Sequence, residues 1–196
     1  VKNAREKVVA KLAELGLLEK TDDYIHRVAK CYRCGAVIEP QPSKQWFLKM
    51  NELAKMAVKA VEDGKVKFSD ERWEKIYSDW LSNIRDWCVS RQRVWGVPIP
   101  AFYCANCQHV VADADVIRHV ADIFEKETAD AWYKREASEL LPAAFNCEQC
   151  GATEFTKETD ILDVWFDSGS SSVAVLENRE NLRWPANVYL EGGDQF

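Results

Sequence analysis

The chain has 196 residues, of which 47% are hydrophobic, and a net charge of −6. That suits one or two domains with a buried core. It argues against a free-standing nucleic-acid binder, whose affinity comes largely from neutralising phosphates. No stretch approaches about eighteen apolar residues, so no membrane-spanning helix is expected, and no signal peptide opens the chain.

The charge is uneven, with nets of +1 over residues 1–29, +4 over 30–100 and −11 over 101–196. If RNA is touched, the middle third is the expected surface; a solvated mixed-charge face explains the pattern equally well. Six of the seven cysteines form three C-x-x-C pairs, Cys31/Cys34, Cys104/Cys107 and Cys147/Cys150. In a cytosolic setting such pairs point to metal thiolates before disulfides.

In chain order, Val8, Val9, Leu12, Leu15 and Leu18 recur at helical spacing, which predicts an amphipathic helix over 2–19 that ends near Gly16. Cys31-Tyr32-Arg33-Cys34-Gly35 follows. In C-x-x-C-G the glycine relieves the backbone while amides turn toward sulfur, the knuckle used for zinc. This pair supplies two of the four ligands that tetrahedral zinc needs. The apolar run 45–50 predicts a strand. Leu53, Met56, Ala57, Ala60 and Val61 predict a helix stopped by Asp63-Gly64. Trp73, Ile76, Tyr77, Trp80, Leu81 and Ile84 predict a second, capped near Ser69-Asp70-Glu71, with its aromatics in the core.

Residues 85–100 set Arg85, Arg91 and Arg93 among Trp87, Gln92 and Trp95. Guanidinium groups beside aromatics can stack on a base or bind phosphate; an irregular connector with paired arginines is the other reading. Cys88 reads as a small core residue. Thirty-nine residues separate Cys107 from Cys147. Val116, Val120, Ile123 and Phe124 predict one helix between them, and Trp132 with Leu140 a second. A helical insert between two knuckles would bind zinc through Cys104, Cys107, Cys147 and Cys150. The competing pairing of Cys31/Cys34 with Cys104/Cys107 spans 69 residues and is less favoured. His26, His109 and His119 fit no ligand spacing. Val188 to Leu190 predicts a short buried strand, with Glu191 and two glycines at its end, where ligands of open α/β sheets sit.

Three motifs now stand together: DWCVSRQRVWGVPIP over 86–100, DVWFDSGSS over 163–171 and YLEGGDQ over 189–195. Their content and order resemble the class I aminoacyl-tRNA synthetases, and most of all the isoleucyl-tRNA synthetase family, whose last pattern is YLEGSDQH. The likeness runs along nearly the whole chain. Gly193 and Phe196 depart from it, standing where that pattern has serine and histidine.

The resemblance implies an α/β fold: a partial Rossmann-type catalytic domain, with a fragment of its parallel sheet and a zinc-ribbon-like helical insertion. Residues 1–44 would be the end of an editing insertion, with a metal half-site at Cys31 and Cys34 whose partner pair lies upstream. Residues 45–103 would return to the catalytic core, 104–150 would form the zinc insertion, and 151–196 the second half of the core. Trp165 would wall the amino-acid pocket. Glu191, Gly192, Asp194 and Gln195 would contact the aminoacyl-adenylate. The arginine-rich stretch would lie near the tRNA acceptor end or pack under the active site.

The implied parent activates isoleucine with ATP and Mg2+ and esterifies it to tRNA(Ile). It would be a cytoplasmic monomer with no membrane contact. The valyl enzyme is the nearest alternative, and a free-standing zinc adaptor that grips RNA or protein is the alternative of another kind. Val1 is not methionine and the HIGH and KMSKS motifs do not occur in the chain. An internal fragment, inactive by itself, is therefore expected.

Overall fold

The computed structural model describes residues 2–190, with side chains from Ala4 onward. Glu191, Gly192, Asp194 and Gln195 lie outside the described residues. The chain divides into two units, Val1–Ser43 and Lys44–Phe196.

In the first unit, helix α1 (Lys2–Glu14) stops short of the expected Glu19. Gly16 takes a left-handed φ of 66°, and the Leu17 amide reaches back to the Leu12 carbonyl at 2.9 Å. This is a glycine-ended helix terminus. Val8, Val9 and Leu15 are exposed, and Leu12 and Leu18 half-buried, so the expected apolar stripe exists but is not covered within this unit. After an extended stretch, a β-bridge between Lys30 and Val37 closes the Cys31–Cys34 turn.

In the second unit, two short antiparallel strand pairs bring distant segments together. β1 (Phe47–Leu48) pairs with β2 (Trp87–Cys88), and β3 (Ser90–Arg91) pairs with β7 (Ile161–Leu162). Val89, between β2 and β3, serves both sides. Its amide donates to the Trp46 carbonyl at 2.9 Å, and its carbonyl accepts from the Asp163 amide at 2.7 Å. The expected strand over 45–50 shrinks to two residues for a local reason. The Trp46 amide donates to the Ser90 hydroxyl instead of a ladder carbonyl, and Met50 already caps the next helix.

Helices α2 (Asn51–Glu62) and α3 (Glu71–Ser82) pack against each other, and Ala54, Val61 and Leu81 are buried. Asp70 caps α3, its carboxylate accepting from the Arg72 amide. The aromatics of α3 are not core residues as expected: Trp73, Ile76 and Trp80 stay 41–46% exposed. A helix stripe specifies an apolar face but not the surface that covers it.

The buried core of this unit lies in the segment that follows. β4 (Phe102–Cys104) is the middle strand of an antiparallel sheet with β5 (Val110–Val111) and β6 (Phe155–Lys157), so the sheet draws in residues beyond Cys150. Helix α4 (Ala114–Glu127), capped by Asp113, lays Val116 and Val120 against Phe102, Val111, Trp132, Leu140 and Leu141. The Trp132 ring packs 5.0 Å from Phe102. The single helix expected around Trp132 and Leu140 is two short turns, α5 (Ala131–Lys134) and α6 (Ala137–Leu140). Arg135 turns extended between them, and a Glu136/Glu139 capping box restarts the chain. The Lys157 ammonium donates to the Trp132 and Arg135 carbonyls, supplying donors that helix ends lack.

β7 leads into α7 (Val164–Ser171) and a π-helical turn, Ser172–Glu177. The expected strand at Val188–Leu190 does not form. Val188 and Leu190 are 82% and 92% exposed, no described strand pairs with them, and Tyr189 is held by its hydroxyl donating to the Ser168 carbonyl at 2.7 Å. The parallel sheet is likewise not built by the described residues, whose pairings are all antiparallel. Only β4 and β5 are joined by a short turn; β1/β2, β3/β7 and β4/β6 are antiparallel pairs between segments far apart in the chain.

Candidate metal centre and the motif strands

The two cysteine pairs of the second unit arrive on knuckles of the same construction. The Cys104 carbonyl accepts from the Gln108 amide and the Cys104 amide donates to the His109 carbonyl, both at 2.9 Å. At Cys147 the equivalent bonds run from Gly151 and to Ala152, both at 2.8 Å. Each turn needs a left-handed residue in fifth place, Gln108 (φ 60°) or Gly151 (φ 73°). Only glycine adopts that φ at little cost, and Gln108 is held there by the ring of bonds.

β4 carries the first knuckle and β6 follows the second, so their pairing brings the four sulfurs together. Cys104 Sγ lies 3.5 Å from Cys150 Sγ, and Cys107 Sγ 3.6 Å from Cys147 Sγ. All four sit within 4.8 Å of one another. Tetrahedral zinc with bonds of about 2.3 Å would space its sulfurs about 3.8 Å apart. The donor set and the spacing therefore fit that ion. Four ligands close the sphere, which is the arrangement of a structural rather than a catalytic site.

The thiols differ in acidity. The Ala152 amide, then the Asn106 side chain and Cys107, hold Cys150 at about 6. At Cys107 the His109 amide pulls downward, but burial and the three neighbouring sulfurs together push the thiol up to about 12. The amide at Cys150 thus already favours negative charge in the cluster, and a bound cation would favour the Cys107 thiolate as well.

Cys31 and Cys34 form a third knuckle of the same pattern. Gly35 donates to the Cys31 carbonyl and Cys31 to the Ala36 carbonyl, both at 2.8 Å, with Gly35 at φ 70°. The Cys34 amide, then the Arg33 amide and the Cys34 thiol, lower the Cys31 pKa. No third metal-binding side chain joins this pair among the described residues.

Two buried carboxylates join the motif strands, and the sequence reading missed both. Glu158 Oε2 accepts from Trp46 Nε1 at 2.8 Å and from the Tyr103 hydroxyl, and Oε1 accepts the Thr159 and Asp160 amides at 2.6 and 2.9 Å. Burial alone would raise its pKa; donation from Tyr103, Trp46 and the two amides outweighs that and holds it below the usual carboxylate range. Tyr103 is pushed up to about 12, by burial first and then by Glu158.

Asp163 ends β7 and caps α7. It accepts from Arg91 Nη2 at 2.5 Å, Trp87 Nε1 at 3.1 Å and the Trp165 amide at 3.3 Å. The available signal was the tryptophans alone: an indole N–H taken out of water needs an acceptor, but nothing local says that the acceptors of Trp46 and Trp87 are Glu158 and Asp163. Gln92 donates to Gln45 and Asp160, while Arg85 and Arg93 remain exposed. Trp165, half-buried, is the second residue of α7. Nearby, Trp95, Gly96, Tyr133, Asp130 and Asp167 line a cleft of about 510 Å³. The Asp167 carboxyl there is raised, by burial first and then by Asp163.

A family model for "tRNA synthetases class I (I, L, M and V)" matches residues 3–196. The chain belongs to the class I tRNA synthetases. It is 48% identical to an isoleucine–tRNA ligase of Caldicellulosiruptor saccharolyticus over 184 residues, covering 93% of this chain and 19% of that protein. It is 47% identical to that of Syntrophotalea carbinolica, covering 100% and 21%, and 46% identical to that of Geobacter sulfurreducens, covering 98% and 21%. The chain thus spans about a fifth of the length of these class I relatives. The valyl alternative is not favoured. No helix among the described residues is long and apolar enough to cross a membrane.

Proposed function

We propose that the chain is an internal part of an isoleucine–tRNA ligase. The parent activates isoleucine with ATP and Mg2+ and transfers it to tRNA(Ile) as a cytoplasmic monomer. The observation that carries this reading is similarity to isoleucine–tRNA ligases across essentially the whole chain. The Rossmann-type core, the zinc-ribbon character of the insertion and the four domain segments 1–44, 45–103, 104–150 and 151–196 belong to the same proposal.

Cys104, Cys107, Cys147 and Cys150 hold zinc, which supplies a rigid four-thiolate clamp and no reactive position. Cys31 and Cys34 are half of a second site. Trp165 gives the amino-acid pocket a flat apolar wall suited to a branched aliphatic side chain. The turn at Glu191, Gly192, Asp194 and Gln195 meets the adenylate: the glycines allow close backbone approach, and the Glu191 carboxylate accepts hydrogen bonds from the ribose or the substrate amine.

The test uses isoleucine-dependent pyrophosphate exchange by the full-length parent. A charge-assisted hydrogen bond is worth about 1.5–3 kcal/mol, so Glu191→Gln should lower kcat/KM by roughly ten- to a hundred-fold. Wild-type exchange in that variant would return the turn to a structural role.

A further inference from the structure

Asp163 is a buried carboxylate, 4% exposed, whose bonds run in three directions. Oδ2 takes Arg91 Nη2 and Trp87 Nε1, from the strand stretch 87–91. Oδ1 takes the Trp165 amide, capping α7. The Asp163 amide itself donates to the Val89 carbonyl. Arg91 is anchored in turn, its Nη1 donating to the Cys88 and Ser90 carbonyls at 2.8 Å each. The ion pair is one-sided in burial, with Arg91 33% and Asp163 6% exposed at the side chain.

A cap needs one carboxylate oxygen, and Ser or Asn would do it as well. The second oxygen is committed to an ion pair buried on the Asp163 side, an interaction that seldom adds net stability over a packed apolar alternative but can fix geometry. The geometry fixed here is the direction in which α7 leaves β7. The side chain carried at its second position is Trp165.

We propose that Asp163 is a positioning residue for the amino acid: pairing with Arg91 and Trp87 locks the start of α7, and so holds the Trp165 ring as a defined wall of the side-chain pocket. This rests on Trp165 as the pocket wall in the function proposed above. Asparagine at 163 can keep the cap, but its amide then turns a donor toward the donors of Arg91 and Trp87. Serine keeps the cap and reaches neither.

The experiment is pyrophosphate exchange by the full-length synthetase, with active sites titrated. Asp163→Asn and Asp163→Ser should raise KM for isoleucine by about ten- to a hundred-fold, the size of one lost charge-assisted bond. KM for ATP should stay within about twofold, and discrimination against valine should narrow, because the pocket wall and not the nucleotide site has moved. Fewer active sites with unchanged isoleucine KM and unchanged discrimination would mean a merely structural residue and would overturn the proposal.

Arg91→Gln should give the same signature, and the double variant Arg91→Gln/Asp163→Asn should be no worse than the more affected single one; additive losses would contradict the pairing. If the Asp163 variants do not fold, Arg91→Lys decides. It keeps a charge beside Asp163, and should place KM between wild type and Arg91→Gln; a value equal to Arg91→Gln overturns the proposal. Trp165→Ala separates the two readings. If it leaves amino-acid KM unchanged, the pocket assignment fails and the positioning role with it. If it raises KM while Asp163→Asn does not, the positioning proposal alone fails.

Discussion

At the scale of single residues, Tyr103 and its partner Glu158 are shifted in opposite directions. Burial first, and then Glu158, push the Tyr103 hydroxyl up to about 12 in the folded chain, from about 10 in an open one. Between those values the folded state holds a proton that the unfolded state has lost, so stability should fall as pH rises from about 10 to 12. Glu158 is shifted the other way: its contribution is present above the ordinary carboxylate range and is lost as pH falls through its lowered folded value. Chemical denaturation across pH should therefore show an alkaline decline that is shallower in Tyr103→Phe and an acid decline that is shallower in Glu158→Gln. An unchanged alkaline slope in Tyr103→Phe would place the burden of that limb elsewhere. Neither residue was legible beforehand, because their meaning lies in partners far away: Trp46 is 112 positions from Glu158 and Tyr103 is 55.

At the scale of elements, the helices were the readable part. The stripes at Val116/Val120 and Leu53/Ala57/Val61 became α4 and α2, and Asp70 caps α3. Periodicity measures a face along one segment, and a helix supplies its own hydrogen bonds. The strands were poorly legible for the converse reason. β1, β2, β3 and β7 are two residues long, too short for a period, and exist through partners that no local window contains. Val188–Leu190 failed on the same ground: an apolar triplet without a partner is not a strand.

The cysteine knuckles were readable because spacing and turn chemistry are local; their convergence depends on β4 meeting β6. One element-scale prediction concerns the loop after β3. Gly96 sits at φ 156°, and a Cβ there would come 2.5 Å from Ile161 Cδ1, whose residue is buried and bridges Pro98 through its backbone. Gly96→Ala should cost about 1–3 kcal/mol, as overpacking does, and Ile161→Val in the same chain should recover part of it. Equal denaturation midpoints for wild type and Gly96→Ala would show that the loop yields freely.

At the scale of the whole molecule, the segment that carries the core cluster is also the one whose cysteines converge. Phe102 and Cys104 both lie on β4, the first in the core cluster with Trp132 and Leu140 and the second among the four sulfurs, so the proposed zinc would tie β4 to the Cys147–Cys150 knuckle beside that core. The other carboxylate link, Glu158, joins that segment's Tyr103 to Trp46, just before β1. Zinc at about a thousand times its dissociation constant would add about 4 kcal/mol to stability. At about 2–4 °C per kcal/mol for a chain of this size, chelation should lower Tm by about 8–16 °C.

The most direct measurement is the metal content of the purified chain. About one tightly held zinc per molecule is expected, lost in Cys147→Ser/Cys150→Ser and retained in Cys31→Ser. A chain purified without zinc that takes up none on titration, or a double variant with undiminished zinc, would contradict the account.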